Sequence, residues 1–164
     1  MKIDLKHSLK LTKELKLPEI ISNILLEEEL PYNLYVHFGN AGEFFLMSEE
    51  EQSEYSNGNI IPLWDDGNFD RVTAYNTKTK NYVTFYIEDP DEGLSHQLTY
   101  EQLMATEFKE LWEAEKDRTD LKEIAKLFNY SGIQSFLDNM AKINDLEYDE
   151  YEQQFIIYQK SISA

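Results

Sequence analysis

The apolar residues of this chain change their spacing near residue 99. Before that point, over 72–76 and 83–87, apolar and polar residues alternate, which is the period of strands with one face in a core. After it, apolar residues recur every three or four positions, which is the helical period. Strands followed by helices predict an α+β fold, in which an antiparallel or mixed sheet packs with helices and a helical tail ends the chain.

Local signals divide the chain further. Ser48 with Glu51, and Thr99 with Gln102, have the spacing of a capping box and predict helix starts. Pro62 lacks a backbone N–H, so its strand is expected at an edge or a bulge. The predicted helices span 5–17, 19–29, 49–55, about 100–112, 121–128, 133–140 and 148–160, and the predicted extended segments span 34–38, 44–47, 60–64, 72–76 and 83–87.

Two expectations concern packing. The buried face of the hairpin is predicted to consist of Val72, Ala74, Val83, Phe85 and Ile87. The last helix is predicted to face inward with Tyr148, Tyr151, Phe155 and Tyr158.

The charge is strongly negative and unevenly distributed. Fifteen Lys and Arg against 32 Asp and Glu give a net charge of −17, although residues 1–17 alone carry +3. Nucleic-acid and anionic-membrane binding depend on basic residues, so neither is expected. An acidic surface instead favours a basic protein partner, or serves only solubility.

Catalytic and metal-binding patterns are weak. The sequence has no Cys, and its three His are far apart, which argues against zinc and thiol chemistry. The run 65–70 is acidic, but Gly67 stands where a calcium loop needs a ligand and Asp70 where it needs Gly. The run is therefore interpreted as a turn, and we expect no enzyme activity, metal or cofactor.

No apolar run approaches the roughly 20 residues that a membrane helix needs. Charges within the first six residues are atypical of a signal peptide. We therefore expect a cytoplasmic protein, and the length of 164 residues predicts a single domain over 1–164.

The order of several short motifs resembles the SUKH superfamily, the Knr/Smi-type domain. The run 59–70, with Ile-Pro-Leu-Trp followed by an acidic turn, carries most of the resemblance. Leu30-Pro31, the turn 40–42, and the segments 43–47, 72–76, 83–88 and 98–103 extend it, so that the matching core covers about 18–112 and a helical extension covers about 117–164.

The resemblance implies a binding module without catalytic residues. Many bacterial members are thought to be immunity proteins that neutralise polymorphic or contact-dependent toxins, often nucleases, whereas fungal relatives act as signalling scaffolds. We therefore expect an immunity protein that binds a basic toxin domain. The alternative is an intracellular scaffold or regulator with no toxin partner.

The expected partner-binding surface is acidic and surrounds one strand. Turns at strand ends expose side chains on a rigid base, which points to Trp64, Asp65, Asp66 and Asp70. The capped helix before the strand adds Glu49, Glu50 and Glu54, and the two segments are predicted to form one patch. The alternative location is the acidic start of the last helix, with Glu147, Asp149, Glu150 and Glu152.

Overall fold

The computed structural model describes residues 1–163, which form two compact units. The first unit spans Met1–Leu98, and the second begins at Thr99. The helix that begins at Tyr100 therefore belongs to the second unit, although the sequence assigned it to the core of 18–112. The single domain over 1–164 stays a prediction.

The first unit combines a small sheet with short helices. Its three strands form one antiparallel sheet in the order β1-β2-β3. Its elements are α1 (Leu5–Glu14), α2 (Glu19–Leu25), a 3₁₀ segment (Pro31–Val36), α3 (Gly42–Leu46), α4 (Glu49–Ser53), a 3₁₀ segment (Ser56–Gly58), β1 (Ile60–Asp65), β2 (Arg71–Asn76), β3 (Asn81–Tyr86) and α5 (Asp91–Ser95).

The second unit is helical throughout its described part. Its elements are α6 (Tyr100–Glu113), α7 (Arg118–Leu127), α8 (Ile133–Ile143) and α9 (Tyr148–Ser161). Phe108 is the centre of its core, with ring centroids 6.3 Å from Phe128, 5.0 Å from Tyr130 and 6.3 Å from Phe136. A helical unit after a sheet-containing unit confirms the predicted α+β class.

The predicted hairpin is confirmed with its register. Val72 lies opposite Phe85, and Ala74 lies opposite Val83. All four are fully buried, because residues two apart on a strand share a face. Ile87 follows β3 and is only half-buried, so the buried face ends one residue pair earlier than predicted.

Strand β1 is an edge strand with an irregular register. The pairing with β2 shifts between Pro62 and Trp64, as expected where proline cannot donate to a neighbouring strand. The predicted capping boxes are also present. Ser48 and Glu51 start α4 with reciprocal hydrogen bonds, and Thr99 and Gln102 start α6 in the same way.

Two predicted extended segments are wrong. Residues 31–36 form 3₁₀ turns that are interrupted at Tyr32 and Asn33, whose left-handed backbone angles are incompatible with a strand. Leu34 and Phe38 are buried and Val36 is exposed, which suits a helical turn, where residues four apart share a side.

The second wrong segment is 44–47, where α3 begins at Gly42 and Phe44 is buried. Leu46, two residues further on, points away from the core and is 81% exposed.

The last helix faces inward with fewer residues than predicted. Tyr151 and Phe155 are buried and Tyr158 is half-buried. Tyr148 is 69% exposed, so its predicted inward orientation is wrong. It is the first residue of α9, where the chain has just left the preceding loop.

Truncating the two neighbours on β3 tests the sheet. Phe85→Ala should lower the free energy of unfolding by about 3–5 kcal/mol, because it empties a fully buried ring site. Thr84→Ala should cost about 1–2 kcal/mol, because the Thr84 hydroxyl accepts a hydrogen bond from Arg71 Nη1 at 2.9 Å. Urea unfolding measures both, and equal losses would contradict the register.

Candidate protein-interaction face

An open groove of about 640 Å³ lies where β1 ends in the first unit. Its walls come from the end of α2, the loop before α3, α3 itself and the turn after β1. Of the described residues that line it, Glu27, Glu43 and Asp65 are acidic, Leu46 and Phe69 are apolar, and none is Lys or Arg. We call this groove and its neighbours Tyr35 and Val36 the groove face.

Hydrogen bonds of Asp65 connect the loops that form the groove. Its backbone N–H donates to Gly39 O at 2.9 Å, and Gly39 N–H donates to Asp65 O at 3.1 Å. Its Oδ1 accepts from the Gly67 N–H at 2.7 Å. Only 7% of Asp65 is exposed, so its carboxylate is a structural acceptor for the loops around it.

The protonation of Asp65 follows from that burial. Burial raises the pKa of the Asp65 carboxyl above its ordinary value. Backbone N–H groups of Gly67 and Ala41 oppose the rise, and the charges of Asp66 and Glu43 add to it. The groove therefore concentrates negative charge near a carboxylate that water barely reaches.

Exposed apolar side chains border these charges. Leu46 stands on the wall formed by α3. Tyr35 and Val36 are also exposed, and their backbone lies against Gly67, where an added Cβ would be 2.5 Å from Val36 O. Exposed aromatic and aliphatic residues beside charges are typical of protein-binding surfaces.

Three residues at or beside the groove have left-handed backbone angles. Glu27, Ala41 and Phe69 all have φ values of +56° to +58°, a left-handed conformation that L-residues seldom adopt. Such conformations cost roughly 1–2 kcal/mol each. They also occur away from the groove, for example at Ser56, Lys80 and Asn129, so they do not by themselves distinguish this surface.

The structure buries two of the predicted partner-binding residues. Trp64 is 1% exposed and packs edge-on against Phe38, with ring centroids 5.8 Å apart. Asp65 is buried as described above. Contrary to the prediction, neither side chain extends to the surface, because Trp64 lies within β1 and its bulged register turns the side chain into the core.

Of the other two aspartates, only Asp66 holds the turn with its carboxylate. Asp66 is half-buried, and its Oδ1 accepts from the N–H groups of Asn68 at 3.2 Å and Asp70 at 3.1 Å. Asp70 is exposed. The interpretation of 65–70 as a turn is correct, since the Asp65 and Asp66 carboxylates accept backbone N–H groups of the turn.

The two segments of the predicted single patch lie near opposite ends of β1, and the patch stays a prediction. Glu49 pairs with the Met1 ammonium group and lines a small cavity with Ile60, at the start of β1. Asp65 ends the same strand, about 16 Å away at 3.3 Å per residue. Glu50 and Glu54 are exposed on and beside α4. A partner-binding role for Asp66, Asp70, Glu49, Glu50 and Glu54 stays a prediction.

Sequence reasoning missed Glu27, Glu43 and Leu46. A usable signal was the run 44–47, whose four apolar residues exceed what one face of a short helix can bury. Interpreting that run as a strand did not predict the exposure of Leu46, because a strand would have buried Phe44 and Leu46 on the same face.

Within residues 1–163, no three His, Cys, Asp or Glu side chains are grouped as a metal site would require. None of the helices in the same residues combines the length and apolar composition needed to cross a bilayer. Comparisons with protein-family models, curated proteins and solved structures found no significant match.

Replacing the glycine beneath the groove face tests its packing. Gly67 has φ +94°, and a Cβ there would meet the Val36 carbonyl at 2.5 Å. Gly67→Ala should cost about 2–4 kcal/mol, from left-handed strain plus a backbone clash. Gly58→Ala is the matched control, with φ +79° but its nearest atom 4.0 Å away, and should cost about 1 kcal/mol. Thermal unfolding compares the two, and equal costs would contradict the close approach.

The pKa shifts of two aspartates predict opposite pH effects. Because the pKa of Asp65 is raised, its protonated form favours folding, so this contribution is full at low pH and is lost as pH rises through the raised pKa. Because the His7 backbone N–H lowers the pKa of Asp4, that contribution is present at neutral pH and is lost on acidification.

Unfolding free energies between about pH 7 and about pH 3 measure this contrast. The stability of the wild type relative to Asp65→Asn should increase on acidification, and relative to Asp4→Asn it should decrease. A change of the same sign in both comparisons would refute the assignment.

Proposed function

We propose that this protein is a non-catalytic binding module that recognises a basic protein. The observation that carries the proposal is the groove face, where the exposed carboxylates of Glu27 and Glu43 meet exposed Leu46 and Val36. Apolar contacts of this kind supply affinity, while surrounding charges supply orientation and choice of partner.

The charge of the first unit supports a basic partner. Eight Lys and Arg against eighteen Asp and Glu give it a net charge of −10. A field of one sign raises the association rate of an oppositely charged protein by about 10- to 1,000-fold at low salt. It would also repel nucleic acids and anionic lipids, so we propose neither as a ligand.

More specifically, we propose an immunity protein of the SUKH type that neutralises a toxin domain by binding it. The motif resemblance over 59–70 supports this class, and an acidic face suits the basic substrate groove of a nuclease. The role as an intracellular scaffold or regulator uses the same face, and it differs only in whether the partner is toxic.

Capture and co-expression distinguish these roles. The chain is used as bait in its own cells, and the captured protein is identified by mass spectrometry. An immunity protein predicts a basic partner domain that arrests growth when expressed alone and is harmless when this chain is co-expressed. A stable basic partner without toxicity would instead support the scaffold. An acidic partner would contradict the proposal.

The binding face is tested with surface variants against the purified partner. Glu43→Lys should lower kon about 3- to 10-fold and flatten its dependence on salt, because it reverses a charge in the groove. Leu46→Ala should raise koff by about tenfold or more, because it removes an exposed apolar contact.

Two controls separate the groove face from the acidic surface in general. Glu50→Lys changes the same charge near the other end of β1, and Glu92→Lys changes it on α5, which packs on β3 at the opposite edge of the sheet. Both should have smaller effects on kon than Glu43→Lys. Equal effects from all three reversals would show that binding depends on net charge and not on the groove face.

A further inference from the structure

A second open cavity, of about 390 Å³, lies in the helical unit. It is formed by the end of α6, the loop that follows α8 and the start of α9. Three aromatic rings and two carboxylates contribute to its lining: Trp112, Tyr148, Tyr151, Glu113 and Glu115. We call it the aromatic cavity.

Hydrogen bonds to neighbouring elements fix two of the three rings. The Trp112 Nε1–H donates to Asn144 Oδ1 at 3.1 Å, which joins α6 to the loop after α8. The Tyr151 hydroxyl donates to Glu113 Oε2 at 3.2 Å, which joins α9 to α6. The ring positions are therefore set before any ligand arrives, which reduces the entropy lost on binding.

The rings of this cavity already attract cations within the protein. The Arg118 guanidinium lies 5.5 Å from the Trp112 ring centroid, and the Lys109 ammonium lies 5.4 Å from that of Tyr151. Both distances are within the range of cation–π attraction. Tyr148 is the most exposed of the three rings. Its hydroxyl hydrogen-bonds Glu152, and the Lys109 charge also acts on it, but its exposed ring face can still accept a further cation.

Within the described part of the chain, one of the two carboxylates that line the aromatic cavity has no cationic partner of its own. Lys109 is matched by Glu113 at 3.4 Å and Glu152 at 3.1 Å. Burial alone would lower the pKa of Lys109, but these two carboxylates raise it above its ordinary value. Glu115 lines the cavity and makes no ion pair among residues 1–163.

We propose that the aromatic cavity binds an arginine side chain of a partner protein. A planar guanidinium can lie against the exposed Tyr148 ring and donate two hydrogen bonds to the Glu115 carboxylate, whereas a lysine ammonium offers only a point charge. The cavity lies in the second unit, so this proposal does not rest on the groove face or on a toxin partner.

The test uses N-acetyl-arginine amide as the probe and the whole chain as the protein. The two Trp residues give two indole N–H signals in an NMR spectrum, which Trp112→Phe assigns. Arginine amide should shift the Trp112 signal with a Kd of roughly 5–50 mM, as expected for one ion pair and one ring contact. The citrulline amide, which has the same shape without the charge, should not bind, and lysine amide should bind more weakly.

Three variants locate the site. Glu115→Gln should weaken arginine amide binding about 2- to 5-fold, and Tyr148→Ala should weaken it about threefold. Both side chains are exposed, so the variants should fold. Glu92→Gln removes the same charge from the first unit and should leave binding unchanged.

Several results would overturn the proposal. They are no shift of the Trp112 signal up to about 50 mM arginine amide, equal binding of citrulline amide or lysine amide, and equal weakening by Glu115→Gln and Glu92→Gln.

Discussion

The two backbone hydrogen bonds between Gly39 and Asp65 determine the shape of the groove face. They join the end of β1 to the loop before α3, at 2.9 and 3.1 Å. The Asp65 carboxylate occupies the space that a side chain at residue 39 would need, since an added Cβ would lie 2.2 Å from Oδ1. Because α3 begins three residues later, this contact fixes where Glu43 and Leu46 stand.

Burying Asp65 carries a free-energy cost that its partners offset. A buried carboxylate without donors would be strongly destabilising. Here the N–H groups of Gly67 and Ala41 solvate it, although its pKa remains raised. The same N–H groups belong to left-handed turn residues, Gly67 at φ +94° and Ala41 at φ +57°. Turn strain and carboxylate burial are therefore parts of one arrangement, and a change to either affects the other.

Local patterns in the sequence were sufficient to predict the sheet and the helix caps. They were not sufficient to predict the buried Asp65 carboxylate or the left-handed turn residues around it. Alternation over 72–87 predicts the hairpin because cross-strand partners there are few residues apart, and Ser48 with Glu51 predicts a cap because its bonds are local. Asp65, by contrast, accepts from and pairs with residues 39–41, some 25 positions away. No local pattern distinguishes a buried aspartate that accepts backbone N–H groups from an exposed one.

The errors in 31–38 and 44–47 have the same origin. Over four or five residues, an apolar pattern fits a strand and a helical turn equally well. The left-handed Tyr32 and Asn33 decide the first segment, and the left-handed Ala41 before Gly42 decides the second. These are backbone states that neither Tyr nor Ala favours. The residues missed at the groove, Glu43 and Leu46, follow directly from the second error.

Both units are acidic, so the association rate and the dissociation rate of the proposed partner depend on different groups. Seven Lys and Arg against fourteen Asp and Glu give the second unit a net charge of −7, beside −10 in the first. Fields of exposed charges are screened over about 8 Å at physiological ionic strength. At low salt, where screening is weaker, carboxylates throughout both units add to the attraction of a basic protein. The lifetime of the complex depends instead on the few groups in contact. Leu46 at the groove face and Tyr148 at the aromatic cavity are the groups proposed for such contacts, because each offers apolar area next to a carboxylate. Under both proposals, recognition depends on where apolar residues interrupt an acidic surface, and not on the net charge alone.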